Sequence, residues 1–332
     1  MAIAGNGSAN APVNGKLVTV FGGSGFIGRH VVRALARRGY RIRVAVRRPD
    51  LAEHVQPLGM PGQIMPVQAN LRYRWSVDRA IEKADAVVNC VGIMNPSGAQ
   101  SFDAVQAFGP RAIAEAARAA GLSAVTHISA IGADATSQSG YARSKAAGEQ
   151  AIFETLPQSV VLRPSVVFGP EDEFFNRFGA MARMSPVLPL IGGGETKFQP
   201  VFVGDVADAV AKAATGEAKA GTIYELGGPD IKTFRECMEL MLEIVRRKRL
   251  LLPIPFGVAM MQARILSLLP SAPITPDQVT LLKSDNVVSQ AAIAESRTLD
   301  GLSIEARTLA AILPTYLERF RVRGQFDAHR AA

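Results

Sequence analysis

From Lys16 onward the apolar residues follow two alternating rhythms. Short runs rich in aliphatic and β-branched residues, "KLVTVF", "RIRVAV", "IMPVQA", "AVVNCV", "AVTHIS" and "SVVLRP", have the length of buried strands. Between them lie stretches with helical spacing. In "FIGRHVVRALARRG", Ile27, Val31 and Leu35 recur on one side, and Arg29, Arg33 and Arg37 lie elsewhere. Further helices are predicted near 76–83, 103–120 and 141–155. Strands separated by helices imply crossover connections, so the pattern predicts an α/β fold. Its core is a Rossmann-type, doubly wound parallel sheet over residues 16–230.

The alternation weakens after "LRPSVVFGP", and the remainder reads as a smaller, mostly helical C-terminal domain over residues 231–332. Part of 168–200 is expected to contribute to the cleft between the two, and 1–15 to form a disordered lead-in. In "QPVFVGDVADAVAKAA" a strand runs into a helix, with Asp205 expected to cap it. Thr233 and Glu236 have capping-box spacing, and Phe234, Met238, Met241 and Val245 form an apolar stripe behind them. Thr275 to Gln278 is another helix start, with Pro276 in the first helical position.

Within this region one segment, 246–270, breaks the pattern. "RRKRLLLPIPFGVAMMQARILSLLP" passes from four cations into fourteen uncharged residues, Leu250 to Ala263, before Arg264. A membrane-spanning helix needs about 20 apolar residues, and Pro253 and Pro255 resist helix at its start. Two readings follow. In one it is a core helix entered through a Pro-x-Pro loop, with Met260 and Met261 as filler. In the other Val258, Met261, Ile265 and Leu268 form an outward apolar face, Arg264 snorkels, and Arg246, Arg247, Lys248 and Arg249 meet an anionic membrane surface.

Composition narrows the classes. At 332 residues, 48% hydrophobic and 20% charged, the chain can bury a large core and is not a disordered polymer. A net charge of +8 favours anionic partners, yet one Trp, five Tyr and no recognisable binding motif give no basis for nucleic acid. Cys90 and Cys237 sit in apolar runs far apart and read as reduced core thiols; no metal is expected. "MAIAGNGSANAPVNGK" lacks the features of a secretory signal or an Arg-rich transit peptide, which fits a bacterial cytoplasmic protein or an already processed one.

The chemistry gathers at the strand ends. "GGSGFIG" lies between the first strand and first helix, with Gly22, Gly25 and Gly28 at G-x-x-G-x-x-G spacing. Glycines there allow a tight turn and let backbone N–H groups approach a pyrophosphate at a positive helix end. Ser24, Phe26 and Ile27 complete the expected cradle. After the second strand, "VAVRRPD" places Arg47 and Arg48 where an NAD site keeps an acidic ribose reader; Asp50, past a proline, stands too late for that. NADP(H) is therefore expected over NAD(H), unless the two arginines are solvated loop cations. In "YARSK", Tyr141 and Lys145 share a helix face, and Ser129 in "HISAIG" ends a strand twelve residues earlier. A lysine beside a phenol is expected to lower its pKa, and the three residues could move a proton while hydride passes at a nicotinamide.

In this order, "GGSGFIG", "RRP", "NCVG", "SAIG", "YARSK" and "LRPSVVFGPED" resemble the extended or atypical short-chain dehydrogenase/reductase superfamily, over roughly residues 16–230. The resemblance implies that Asn70 and Leu71 lie by the adenine and that Val91 and Gly92 face the nicotinamide half. It also implies that Pro164, Ser165 and Val166 line the nicotinamide pocket. Asn70 departs from the family's usual Asp; an amide keeps the acceptor oxygen and adds a donor. "FGPEDEFFNRFGAMARMSPVLPLIGGGETKFQPVFVGDVADAV", "YELGGPD" and "LLPIPF" extend the likeness to about Asp285. Over that span the chain resembles the nucleotide-binding accessory subunits of respiratory complex I and their alphaproteobacterial homologues. That implies a nucleotide held as a structural ligand, neighbouring complex I subunits near the quinone site, and a peripheral place on the cytoplasmic side of a bacterial inner membrane (the matrix side if mitochondrial). It also favours the docking reading of 246–270. The alternative is a free-standing NADP(H)-dependent reductase or sugar-nucleotide epimerase/dehydratase using Ser129, Tyr141 and Lys145.

Overall fold

The computed structural model describes residues 12–267 and 274–322. In chain order the strands are β1 Leu17–Phe21, β2 Arg41–Val46, β3 Ile64–Gln68, β4 Ala86–Asn89, β5 Thr126–Ile128, β6 Val160–Pro164, β7 Val167–Phe168, β8 Val187–Ile191, β9 Lys197–Phe198, β10 Val201–Phe202, β11 Ile223–Leu226, β12 Lys232–Thr233 and β13 Leu250–Ile254. The α-helices are α1 Phe26–Arg37, α2 Arg74–Ile81, α3 Phe108–Ala119, α4 Gly140–Thr155, α5 Phe175–Met184, α6 Val203–Ala214, α7 Phe234–Ile244, α8 Phe256–Leu266, α9 Pro276–Leu281, α10 Gln290–Ala294, α11 Leu309–Ile312 and α12 Pro314–Leu317.

Seven strands pair in the order β11-β6-β5-β4-β1-β2-β3. Every pairing in this sheet is parallel, which a doubly wound α/β fold requires. The order reverses between β1 and β4, so the crevice for a ligand opens at the carboxyl ends of those two strands. The apolar runs become strands because both sheet faces are covered: Val18, Val20, Val44 and Val88 are fully buried. The helical region predicted near 103–120 begins as one π turn, Asp103–Ala107, before α3 takes over. Gly148 of α4 makes room for it, since a Cβ there would stand 2.3 Å from the Gln106 carbonyl oxygen.

A second core gathers Phe168, Phe175, Leu188, Phe234, Met241 and Leu317, among others. It therefore joins the 168–200 stretch to the C-terminal helices. Thr233 caps α7 and Thr275 caps α9, each through a capping box as the spacing predicts. The stripe Phe234, Met238, Met241, Val245 is buried. Asp205 is not a cap. The chain enters α6 directly from β10, so Phe202 takes the N-cap position and Asp205 falls inside the first turn. There it is 1% exposed and accepts from the Arg307 N–H at 2.8 Å.

Segment 246–270 divides in two. Leu250–Ile254 pairs in parallel with β8, both prolines notwithstanding, because Pro253 lies in an edge strand and Pro255 serves as the N-cap of α8. Helix α8 buries Ala259 and Ala263 against Val279 of α9, whereas Val258 (42%), Met261 (58%) and Ile265 (62%) are exposed. The core-helix reading holds for Met260, which packs with Phe256 on the same cluster, and fails for Met261. Leu268 lies outside the described residues. The four cations also differ from expectation, because Arg247 donates to the Phe320 carbonyl and Arg249 to the Ala182 carbonyl, each at 2.7 Å. Only Arg246 and Lys248 are exposed.

Candidate nucleotide-binding site

The glycine turn is built so that its own backbone closes it. Gly22 adopts φ +74°, and its N–H donates to the Ala45 carbonyl at 3.1 Å, tying the turn to β2. A Cβ on Gly28 would sit 2.1 Å from the Gly22 carbonyl oxygen, so only glycine lets α1 start this close to the strand. Gly25 is the N-cap of α1 and has no side chain to satisfy the first-turn N–H groups. A Cβ there would meet only the Gly22 oxygen, at 3.4 Å, which leaves the approach to that helix end clear. The Ser24 carbonyl is held by Arg29 Nη2 and lies 3.2 Å from His54 Nε2. Phe26 stacks edge-on to His30, and Ile27 packs on the sheet core. This uncapped positive helix end fits a pyrophosphate.

Arg47 and Arg48 are both exposed beyond β2 but are not equivalent. Arg48 is bound by Asp50 through Nη2 at 2.6 Å and Nε at 3.0 Å, so the acidic residue that stood too late to read a ribose binds the arginine instead. Arg47 has no hydrogen bond or ion pair among the described residues. Asn70 turns its Oδ1 to the Arg72 N–H at 3.2 Å, and its backbone is pinned by Ser76. Leu71 packs beside Gly109.

The nicotinamide side is brought together by β4, β5, α4 and the π turn. Lys145 is buried, donates to the Ile128 carbonyl at 3.1 Å, and would stand 3.3 Å from a Cβ at Gly92. Val91 flanks Gly22. Lys145 Nζ is 5.8 Å from the centroid of the Tyr141 ring, so the pair shares one helix face as the spacing predicts. Ser129 is 3% exposed, and its Oγ has no hydrogen-bond partner among the described residues. A buried hydroxyl without such a partner, one residue on from the carbonyl that Lys145 holds, fits a ligand oxygen. Pro164 is buried and Val166 packs on the second core, but the Ser165 hydroxyl donates to Asn286 Oδ1 at 2.6 Å and is already engaged.

Electrostatics correct one expectation. The Tyr141 phenol is pushed up to about 12, first by burial and then by the Asp277 carboxylate, so Lys145 does not lower it here. Burial lowers Lys145 to about 8 against the pull of Glu149 and Cys90. His127, beneath them, is held neutral with a pKa near 3 by burial and by Lys145, and its Nδ1 meets the Asn89 amide at 3.1 Å.

Three residues near this site were not singled out by sequence. Gln106, 1% exposed, accepts from the Ile93 N–H at 2.8 Å and donates to Ser144 at 2.9 Å, fixing the loop after β4 against α4. Asn286 reaches Ser165 across 121 positions, and Asp277 reaches Ser139 across 138. The π turn that aims Gln106 has no period of its own to read.

A family model described as NAD dependent epimerase/dehydratase matches residues 18–227, which hold the sheet, the glycine turn and the Ser129, Tyr141, Lys145 set. The chain belongs to the NAD dependent epimerase/dehydratase family. Among family relatives, it is 35% identical over 293 residues to "NADH dehydrogenase [ubiquinone] 1 alpha subcomplex subunit 9, mitochondrial" of Arabidopsis thaliana, covering 85% of this chain and 73% of that one. It is 36% identical over 196 residues, 59% of either chain, to a ceramide reductase of Caulobacter vibrioides. In fold it is similar to DesIV, a dTDP-glucose 4,6-dehydratase of Streptomyces venezuelae solved with NAD and TYD bound. That match has TM-score 0.69 and 20% identity, covering 95% of this chain and 98% of that one.

Proposed function

We propose that this protein is an accessory subunit of a respiratory NADH:quinone oxidoreductase that holds NADP(H) at the glycine turn as a structural ligand. The carrying observation is the reach of the likeness to subunit 9: 293 aligned residues, well beyond the 18–227 stretch that the nucleotide-binding family accounts for. Among the described residues no helix is long and apolar enough to cross a membrane. Attachment is therefore peripheral, through the exposed side of α8 and β13, beside the quinone-site subunits and on the cytoplasmic face. When bound, the cofactor would supply a hydride. Gly22, Gly25 and Gly28 would hold its pyrophosphate, Arg47 its 2′-phosphate, and Ser129, Tyr141 and Lys145 its nicotinamide ribose.

The test is to solubilise respiratory membranes in mild detergent and resolve the particles by size. Co-migration of this chain with NADH:quinone oxidoreductase activity, and release of NADP(H) on denaturation, is the expected result. A chain found only at its monomer size overturns it. The likeness to a ceramide reductase, with Ser129, Tyr141 and Lys145 all present, favours a second reading as a free-standing carbonyl reductase. On that reading Tyr141→Phe abolishes NADPH consumption with a ketone substrate. On the first it leaves assembly and bound nucleotide in place, since one hydroxyl contributes only about 1 kcal/mol net.

A further inference from the structure

Helix α4 begins in an unusual way. Its N-cap Ser139 accepts from the Ala142 N–H at 3.2 Å, as capping serines do, but its hydroxyl also donates to Asp277 Oδ2 at 2.8 Å. The next residue, Gly140, donates its N–H to Asp277 Oδ1 at 2.7 Å. One carboxylate from α9 thus holds both residues ahead of Tyr141 and stands at the positive end of Tyr141's own helix. The carboxylate is not on a loose loop. Val279 of the same short helix is fully buried against Ala259 and Ala263, and Gln278 closes the capping box with Thr275 and lies 3.4 Å from Asn95.

We propose that Asp277 is a positioning residue of the nucleotide site, acting from the C-terminal region through the first turn of α4 on Tyr141. It does two things. It sets where Tyr141 stands against the Phe102 ring, 5.9 Å between centroids, and it keeps a negative charge near the phenol. The charged groups about Tyr141 are Lys145 on its own helix, Asp277 on α9, and Arg143, whose guanidinium is turned to the Ser137 carbonyl. Burial first, and then Asp277, push the phenol up to about 12, so the tyrosine keeps its proton at every physiological pH. A tyrosine that keeps its proton can donate to a nucleotide ribose without drawing a proton from a substrate. This rests on the reading that the cleft binds a nucleotide, but the titration of Tyr141 does not.

The experiment is a ¹³Cζ-tyrosine NMR titration of the full, nucleotide-free chain, with the Tyr141 resonance assigned by its loss in Tyr141→Phe. In Asp277→Asn the Tyr141 midpoint is expected to move to lower pH, and NADPH release from the loaded protein to quicken about tenfold. Ser139→Ala removes one clamping hydrogen bond but keeps the charge, and is expected to leave the midpoint in place. Asp277→Glu restores the charge and should return the midpoint toward wild type. Asp277→Ser removes the charge with a different side chain and gives the same reading where the Asn variant does not fold. An unmoved midpoint in the folded Asp277→Asn or Asp277→Ser protein overturns the proposal. Failure to bind NADPH with the midpoint shift intact overturns the nucleotide reading alone.

Discussion

Helices α1 and α8 are nearly equal in length, and both are apolar on one side, yet they bury opposite things. On α1 the large residues go in: Val31, Val32 and Leu35 are fully buried, and the arginines stay out. On α8 only Ala259 and Ala263 are fully buried, Phe256 and Met260 are half-buried, and Val258, Met261 and Ile265 are exposed. Apolar spacing therefore identifies a face but not what covers it. In the sheet domain the cover is the chain's own sheet. On α8 the proposed reading takes it from a membrane surface or a neighbouring subunit, against which Met261 and Ile265, 58% and 62% exposed, would pack.

The sharpest contrast comes from forcing bulk into the first region. Gly28→Val should cost about 3 kcal/mol or more, because the added carbon strikes the Gly22 carbonyl at 2.1 Å and no side chain can give way. A large fall in melting temperature and loss of bound nucleotide are the expected readouts. Next in size is Arg247→Gln with Arg249→Gln, which removes charged donors from the Phe320 and Ala182 carbonyls and should cost about 1.5–3 kcal/mol per site. The matched pair Arg246→Gln and Lys248→Gln should leave the melting curve alone and make membrane partition weaker or more salt-sensitive. Equal melting effects from the two pairs would erase the distinction between structural and surface cations.

Smaller still is the difference between the two arginines after β2. Arg47→Ala is expected to weaken NADP(H) binding about tenfold and leave NAD(H) almost unchanged, as isothermal titration would show. Arg48→Ala should do less, its guanidinium being engaged by Asp50. The least effect on stability belongs to Met261→Ser with Ile265→Ser, within about 0.5 kcal/mol for each exposed site, although the protein should leave the membrane fraction. Unfolding of this variant before it detaches would return α8 to the core.

The sheet was legible in the chain because each strand is a local run with its own turn, and "RIRVAV" matches β2 residue for residue. The glycine turn and the Tyr141–Lys145 pair were legible for the same reason, since their partners are three and four positions apart. What could not be read is long-range. Asp277 looks like one more acidic residue in a helix start until the fold brings it to Ser139. Asp205 mimics a cap because the strand before it leaves no loop in which a cap could sit. The tyrosine's proton affinity was misjudged because spacing reveals Lys145 but neither the burial nor the opposing carboxylate.

The second core also sets an order of events during synthesis. Its residues span Phe168 to Phe320, and the Tyr316 hydroxyl closes on the buried Asp172 across 144 positions. The parallel sheet is complete once β11 has emerged, some ninety residues earlier by the numbering. At about 5–20 residues per second the ribosome needs roughly 5–20 s to cover that distance. Throughout it the nucleotide fold can stand complete while Phe175 and Leu188 wait without their C-terminal cover. For this protein the exposed interval falls late in translation, and any chaperone that attends it is expected to find its apolar target on α5 and β8 rather than on the sheet.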